Sequence, residues 1–353
     1  MKTPGINKLF SMLALVLALL ACTVSSPKTA TEAPVTEVAD SPTQEQVAAP
    51  DATQSAPPTE VPSIQHQVFP VDLPVERSSH AGDYDSSTTA ANKTSAGGDR
   101  FTFERFERPF NANTMDVYFS QLDIVDTLVF QDDTWIYSTI TLKGVDASNA
   151  LSGKYAAELD TNLDGKGDWI IIVSSPSTTD WSVTGVSIYQ DANHDVGNEL
   201  PMLTDEGQPG GDGFETLVFD QGQGHDPDSA WARISSTTPN TVEISVKRAV
   251  LGDTNKYLIN MWAGSSLLDP ALFDISDHFT HEQAGAADAA LQFYYPIKQV
   301  FELDNSCRMA VGFEPTGKEA GLCEVLTTED SCTPSPQQLR VCEALGLTPC
   351  PCN

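Results

Sequence analysis

Two short acidic stretches carry the residue types and the spacing that hold a hard cation. The first is Asp160-Thr-Asn-Leu-Asp-Gly-Lys-Gly-Asp168, and its echo is Asp191-Ala-Asn-His-Asp-Val-Gly-Asn-Glu199. In each, oxygen-bearing side chains fall at relative positions 1, 3, 5 and 9. Alternate-residue carboxylates and amides, with a glycine where the chain bends, are what wrapping a calcium ion requires. The first stretch offers Asp160, Asn162, Asp164, the Lys166 carbonyl and Asp168. The second offers Asp191, Asn193, Asp195, the Gly197 carbonyl and Glu199. Neither is an EF-hand, because position 12 of the first is Ile171 and β-rich runs replace the flanking helices. The second is less regular: its glycine falls one place late and His194 intervenes. The competing reading is that Asp, Asn and Gly serve only as turn residues.

The elements around these loops decide whether they meet. Residues 169–173 form a continuous apolar run, as in a strand buried on both faces, and residues 186–189 form a second short run. If the two pair as antiparallel neighbours, the first loop precedes one strand and the second follows the other. Both loops then lie at one end of the sheet, where they can share one ion or hold two close together. About ten short β-rich runs separated by Gly, Asp, Asn and Pro fill residues 99–302. Along 134–142, Ile136, Ile140 and Leu142 share one face, and Trp135 and Tyr137 share the other. The spacing predicts an all-β, jelly-roll-like antiparallel β-sandwich. Residues 284–291 are the best helical stretch, and the pattern there is weak.

Asp-Asp-Thr-Trp-Ile-Tyr-Ser-Thr-Ile at 132–140, Ala-Glu-Leu-Asp at 157–160 and Val-Glu-Ile-Ser-Val-Lys-Arg-Ala-Val-Leu-Gly at 242–252 carry a resemblance. Over roughly residues 100–265 the chain resembles the β-sandwich shared by family 9 carbohydrate-binding modules and DOMON-like domains. That resemblance implies a sandwich fold. It leaves function open, because such sandwiches host sugar binding, haem binding and structural roles.

The ends of the chain speak to compartment. Residues 1–21 carry Lys2 and Lys8 before an apolar run, the form of a secretion signal. The run ends Leu19-Leu20-Ala21-Cys22, which resembles the lipobox of bacterial lipoproteins. The resemblance implies cleavage before Cys22, lipid on that cysteine, and a membrane partner through the anchor. Residues 22–98 are rich in Pro, Thr, Ala, Ser and Glu and read as a disordered tether. Within them, 68–75 is apolar enough to touch the domain. Residues 303–353 form a predicted disulfide-rich tail holding Cys307, Cys323, Cys332, Cys342, Cys350 and Cys352. Zinc is the rival reading, opposed by the lack of any histidine after His281. Net charge is −30, and −32 once Lys2 and Lys8 leave with the signal, which repels nucleic acid and favours divalent cations.

Other chemistry is thinner. His278 and His281, with Asp274, Asp277 and Glu282, form a possible metal cluster or a polar surface turn. Asp205, Asp212, Asp226 and Asp228 are possible extra oxygen donors or plain loop residues. No Gly-x-Ser-x-Gly elbow is present. Of the large aromatics, Trp135, Tyr137, Trp169, Trp231 and Trp262 are expected mainly in the core. Trp181, in a polar loop, is the ring expected to be exposed and to stack on a sugar. The expected function is non-catalytic binding of a carbohydrate or other extracellular polymer by a calcium-stabilised, lipid-anchored sandwich. The alternatives are a protein-interaction lipoprotein using the tail, and a glycoside hydrolase built on paired carboxylates.

Overall fold

Alternation along the strands decides which way each sheet faces. In the computed structural model, the described residues are 64–93, 108–111, 116–196, 211–272 and 301–323. Their strands in chain order are β1 (Ser79–Gly82), β2 (Ile124–Gln131), β3 (Trp135–Leu142), β4 (Lys154–Asp160), β5 (Trp169–Ser174), β6 (Val186–Gln190), β7 (Thr216–Asp220), β8 (Gln223–Gly224), β9 (Ala230–Ile234), β10 (Thr241–Lys247), β11 (Tyr257–Gly264), β12 (Leu303–Asn305) and β13 (Met309–Val311). They make two antiparallel sheets, a five-stranded one in the order β1-β2-β3-β10-β9 and a larger one in the order β12-β11-β4-β5-β6-β7-β8. β13 also pairs with β11. This is the expected all-β sandwich.

The inner faces make the main core. Ile136, Ile140 and Leu142 of β3 join Val242, Ile244 and Val246 of β10 from the first sheet. Tyr155, Ala157, Leu159, Ile171, Val173, Ile259 and Met261 come from the second. Period-two alternation turns the intervening residues outward. Those outward residues are covered as well. Ile170 and Ile172 of β5 enter a second apolar cluster with Trp262, Val196, Phe214, Leu267 and Leu268. Hence β5 is apolar from Trp169 to Val173, with both of its faces buried over Ile170–Val173.

Two stretches that composition assigns to the tether and the tail belong to the sandwich. β1 pairs with β2 from Ser79↔Val129 to Gly82↔Asp126, although Ser-His-Ala-Gly has no apolar alternation to announce a strand. β12 and β13 together run along one edge of β11, Leu303 opposite Gly264 and Val311 opposite Tyr257. A break at 306–308 separates them, spanned by Ser306 N–H to the Met261 carbonyl at 2.9 Å. Such an interruption re-aims side chains, and here it turns Arg308 towards the first acidic loop. Each piece is three residues long, too short to read as a strand from sequence. No helix among the described residues is long and apolar enough to cross a membrane.

Candidate metal centre and aromatic face

The β5–β6 pairing, with Trp169 opposite Gln190, brings the two acidic loops to the same end of the larger sheet. The Asp191 amide donates to the Asp168 carbonyl at 3.0 Å. Lys166 Nζ reaches the His194 carbonyl at 3.2 Å. His194 Nδ1 stands 3.7 Å from Asp168 Oδ1.

The loops share one backbone design. Asp160 accepts from the Leu163 amide at 2.6 Å and the Gly165 amide at 2.8 Å. Asp191 accepts from the His194 amide at 2.7 Å and the Val196 amide at 3.0 Å. These are the same relative positions. Asn162 Oδ1 takes the Asp164 amide at 2.8 Å, and Asn193 Oδ1 takes the Asp195 amide at 3.0 Å. At position 4 both chains turn left-handed, Leu163 with φ 64° and His194 with φ 62°. The first loop turns left-handed again at its glycine, Gly165 with φ 90°, and Val196 at the same position of the second loop does not. In place of Gly165, the second loop puts Val196 at position 6, where it is buried in the outer apolar cluster.

Their supports differ. Beneath the first loop, Glu158 is fully buried and paired with Arg308 at 3.0 Å. Trp262 Nε1 donates to Glu158 at 2.7 Å, and Arg308 also donates to the Gly165 carbonyl. Gly167 has to be glycine, because a Cβ there would lie 2.4 Å from Glu158 Oε1. Asp168 caps the loop's start, accepting from the Thr161 amide and hydroxyl at 2.7 Å each and from the Asn162 side chain at 2.7 Å. The second loop is held from its flank instead. Asp195 accepts from the Asp212 amide at 3.0 Å, and Asn193 donates to the Asp212 carboxylate at 2.7 Å. Asp212, one of the extra oxygen donors expected from sequence, thus meets this loop; Asp226 pairs with Lys247 and Asp228 with His66 elsewhere.

Burial pushes the Asp160 carboxyl up to about 6, against the opposing pull of the Gly165 and Leu163 amides and of Arg308. Burial also raises Asp191. A cation beside either would favour the charged form. Asn162, Asp164 and Asn193 are exposed and Lys166 and Asp195 half-exposed, while Gly197 and Glu199 lie outside the described residues. Among the described residues, no three His, Cys, Asp or Glu side chains converge on one point as a metal-holding group. The loop oxygens are turned onto loop amides: Asp168 Oδ2 and Asp191 Oδ1 each accept two bonds or more, while each Asp160 oxygen accepts one and keeps a second lone pair.

A second feature lies on the outer face of the five-stranded sheet. Phe130, Trp135, Tyr137 and Trp231 form a buried aromatic cluster there, with Leu73, Leu128, Trp181 and Val183 packed against it. Trp181 is half-buried rather than exposed. Arg233 sits 4.3 Å over its ring, and Tyr137 stands 6.1 Å away. Alternation signalled that Trp135 and Tyr137 share a face, but not that residues of the tether cover it. Of the cysteines, Cys307 and Cys323 are joined as a disulfide. Cys22, Cys332, Cys342, Cys350, Cys352, His278 and His281 lie outside the described residues.

Compared with known proteins, the chain matches no family model, no curated protein and no solved structure.

Proposed function

We propose that this chain is an exported, lipid-anchored, non-catalytic binding protein. In this reading calcium stabilises its sandwich at the paired loops, and the sandwich binds a carbohydrate or another extracellular polymer. The observation that carries the calcium part is the matched pair of loops at one sheet end, alike in hydrogen bonding and in the left-handed residue at position 4. Two loops of different sequence that share this turn and these bonds support a shared purpose beyond turning the chain. Two raised carboxyls in those loops supply negative charge that a divalent cation would relieve. The aromatic sheet face supports polymer binding, since rings suit the apolar faces of sugars. A net charge of −30 disfavours nucleic acid and other polyanions as the polymer. The lipobox-like run ending at Cys22 supports the anchor.

Thermal melting in calcium and in chelator tests the first part. An ion held only by the folded state at a hundred times its Kd adds about 2.7 kcal/mol. Asp164→Ala with Asp195→Ala, two side chains at the loop surface, should remove the gain without unfolding the domain. An identical midpoint in calcium and chelator would overturn the calcium reading. For the anchor, Cys22→Ser should move the full-length protein from the membrane fraction to the soluble one.

A further inference from the structure

The outer face of a sandwich sheet is ordinarily polar and wet. In the five-stranded sheet it is partly aromatic and largely buried. Its rows, read across the register, run Phe130–Tyr137–Ser245–Trp231 and Leu128–Thr139–Glu243–Arg233. Ser245 therefore sits between two aromatic rings, and Thr139 lies next along β3. Three polar atoms of this face, Thr139 Oγ1, Ser245 Oγ and Trp231 Nε1, have no hydrogen-bond partner among the described residues. Their residues are 3 %, 0 % and 3 % exposed. Leaving buried donors unpaired is costly, and apolar residues of the same shape would avoid the cost. That three such atoms cluster among aromatic rings points to a ligand that brings its own hydroxyls.

What lies over this face is the chain's own residues 66–73. His66 and Phe69 stand 4.7 and 5.1 Å from the Trp231 ring. His66 and the Gln67 and Val68 amides all bond the buried Asp228 carboxylate at 2.8 to 2.9 Å. Further along, Trp181 Nε1 donates to the Val71 carbonyl at 3.2 Å, and Asp72 lies 3.7 Å from Arg233. The segment joins no strand ladder. Its apolar cover is uneven: Pro70 is buried and Leu73 packs against the aromatic cluster, while Phe69 remains 54 % and Val71 60 % exposed. It is pinned through Asp228 at one end and held through Val71 and Leu73 at the other, and it leaves the three polar atoms beneath it unpaired.

We propose that residues 66–73 are a displaceable strap over a binding face for a neutral saccharide, an inference that rests on the carbohydrate reading above. Tyr137, Trp181 and Trp231 would stack on the sugar's apolar faces, and Thr139, Ser245 and Trp231 Nε1 would bond its hydroxyls. The ligand is neutral because the charges of this face are already paired, Arg233 with Glu243 at 2.6 Å and Lys247 with Asp226 at 2.6 Å. The strap and the sugar compete, so closure lowers the apparent affinity by the fraction of molecules that are open.

Isothermal titration of maltoheptaose, cellohexaose, xylohexaose and mannohexaose into three full-length proteins tests this. The first is unchanged, the second carries Phe69→Ser with Val71→Ser, and the third carries Thr139→Val with Ser245→Ala. Loosening the strap should tighten binding roughly three- to tenfold. Removing the two hydroxyls should weaken it about tenfold or more while leaving the melting temperature unchanged or higher, since those groups lack partners without ligand. Equal binding by all three proteins would overturn the strap and the face while leaving the carbohydrate reading intact. Binding that weakens on loosening the strap, or a lower melting temperature in the hydroxyl variant, would also overturn the inference. If no protein binds any of the sugars, the carbohydrate reading falls and the strap with it.

Discussion

The two acidic loops share a left-handed fourth residue and its hydrogen bonds, and they have opposite foundations. Loop 160–168 rests on charge: a buried Glu158–Arg308 pair below it and a guanidinium donating to its Gly165 carbonyl. Loop 191–196 rests on burial, with Val196 inside the apolar cluster and Asp212 bonded at its flank. The hydrogen-bond pattern of the loop backbone is local, set by Asp at position 1 and Asn at position 3. Position 6 differs, a left-handed glycine in the first loop and a buried valine in the second, and so does the support beneath it. What the two loops share is the acceptors and the left-handed fourth residue, and the glycine turn belongs to the first loop alone.

If loop one stands on charge, breaking the pair should have the largest effect. Arg308→Ala leaves Glu158 buried with its main cation gone and should cost about 3–5 kcal/mol in denaturant unfolding. Amide exchange should quicken at Leu163 and Gly165 and stay unchanged at Val196. Glu158→Leu with Arg308→Met should be less destabilised than Arg308→Ala, since neither charge is then stranded. A cost below about 1 kcal/mol for Arg308→Ala would break the comparison.

Next in size is the staple that carries Arg308. Cys307 and Cys323 close a loop at a sequence separation of 16, and the Cys323 amide bonds the Arg308 carbonyl at 2.9 Å. Cys307→Ser with Cys323→Ser should cost about 3 kcal/mol, chiefly through the freer unfolded chain. On the second loop, Val196→Ala should cost about 2 kcal/mol through lost burial and the cavity left behind. Its effect on exchange should appear at His194 and Val196 and spare loop one. If Val196→Ala loosened loop one equally, the loops would be one cooperative unit with a common foundation.

Much of this fold was legible in sequence, for reasons that are local. Ile136, Ile140 and Leu142 alternate against Trp135 and Tyr137, and β5 is apolar on consecutive residues, so the sheets and their buried strand follow from period-two patterning. The meeting of the loops followed from β5 and β6 being antiparallel neighbours. The foundations were not legible because they are remote. Arg308 lies 150 positions from Glu158, and nothing near either announces the other. The strap was hidden for a different reason. Only its apolar stretch at 68–75 hinted at contact, and its main anchor is a single aspartate 160 to 162 positions away. The likeness of the second loop to the first was masked by its late glycine, because the turn the loops share falls at position 4, on Leu163 and His194, two residues that do not announce it.

The smallest expected effect comes from a buried acid placed without a guanidinium. Asp123 is as buried as Glu158. It accepts from the Tyr118 hydroxyl and, at 3.3 Å, from the Ser86 amide, and the Asp85 carboxylate nearby also raises it. Burial pushes its carboxyl up, and the hydrogen bonds from Tyr118 and Ser86 only partly offset this. A folded-state value above the unfolded one means that the fold prefers the proton. The stability this gives is fully present below the ordinary carboxylate range and is lost as pH rises through the raised value. Asp123→Asn keeps the shape and cannot ionise, and its amide can donate to the Tyr118 oxygen. From about pH 4 to pH 7, unfolding free energies of the unchanged protein should therefore fall relative to the variant, by about 1–2 kcal/mol. Carboxylates common to both proteins cancel in that difference. Parallel curves would show that Asp123 is ionised without cost, and a nearby guanidinium would then not be what lets this fold bury an acid under loop one.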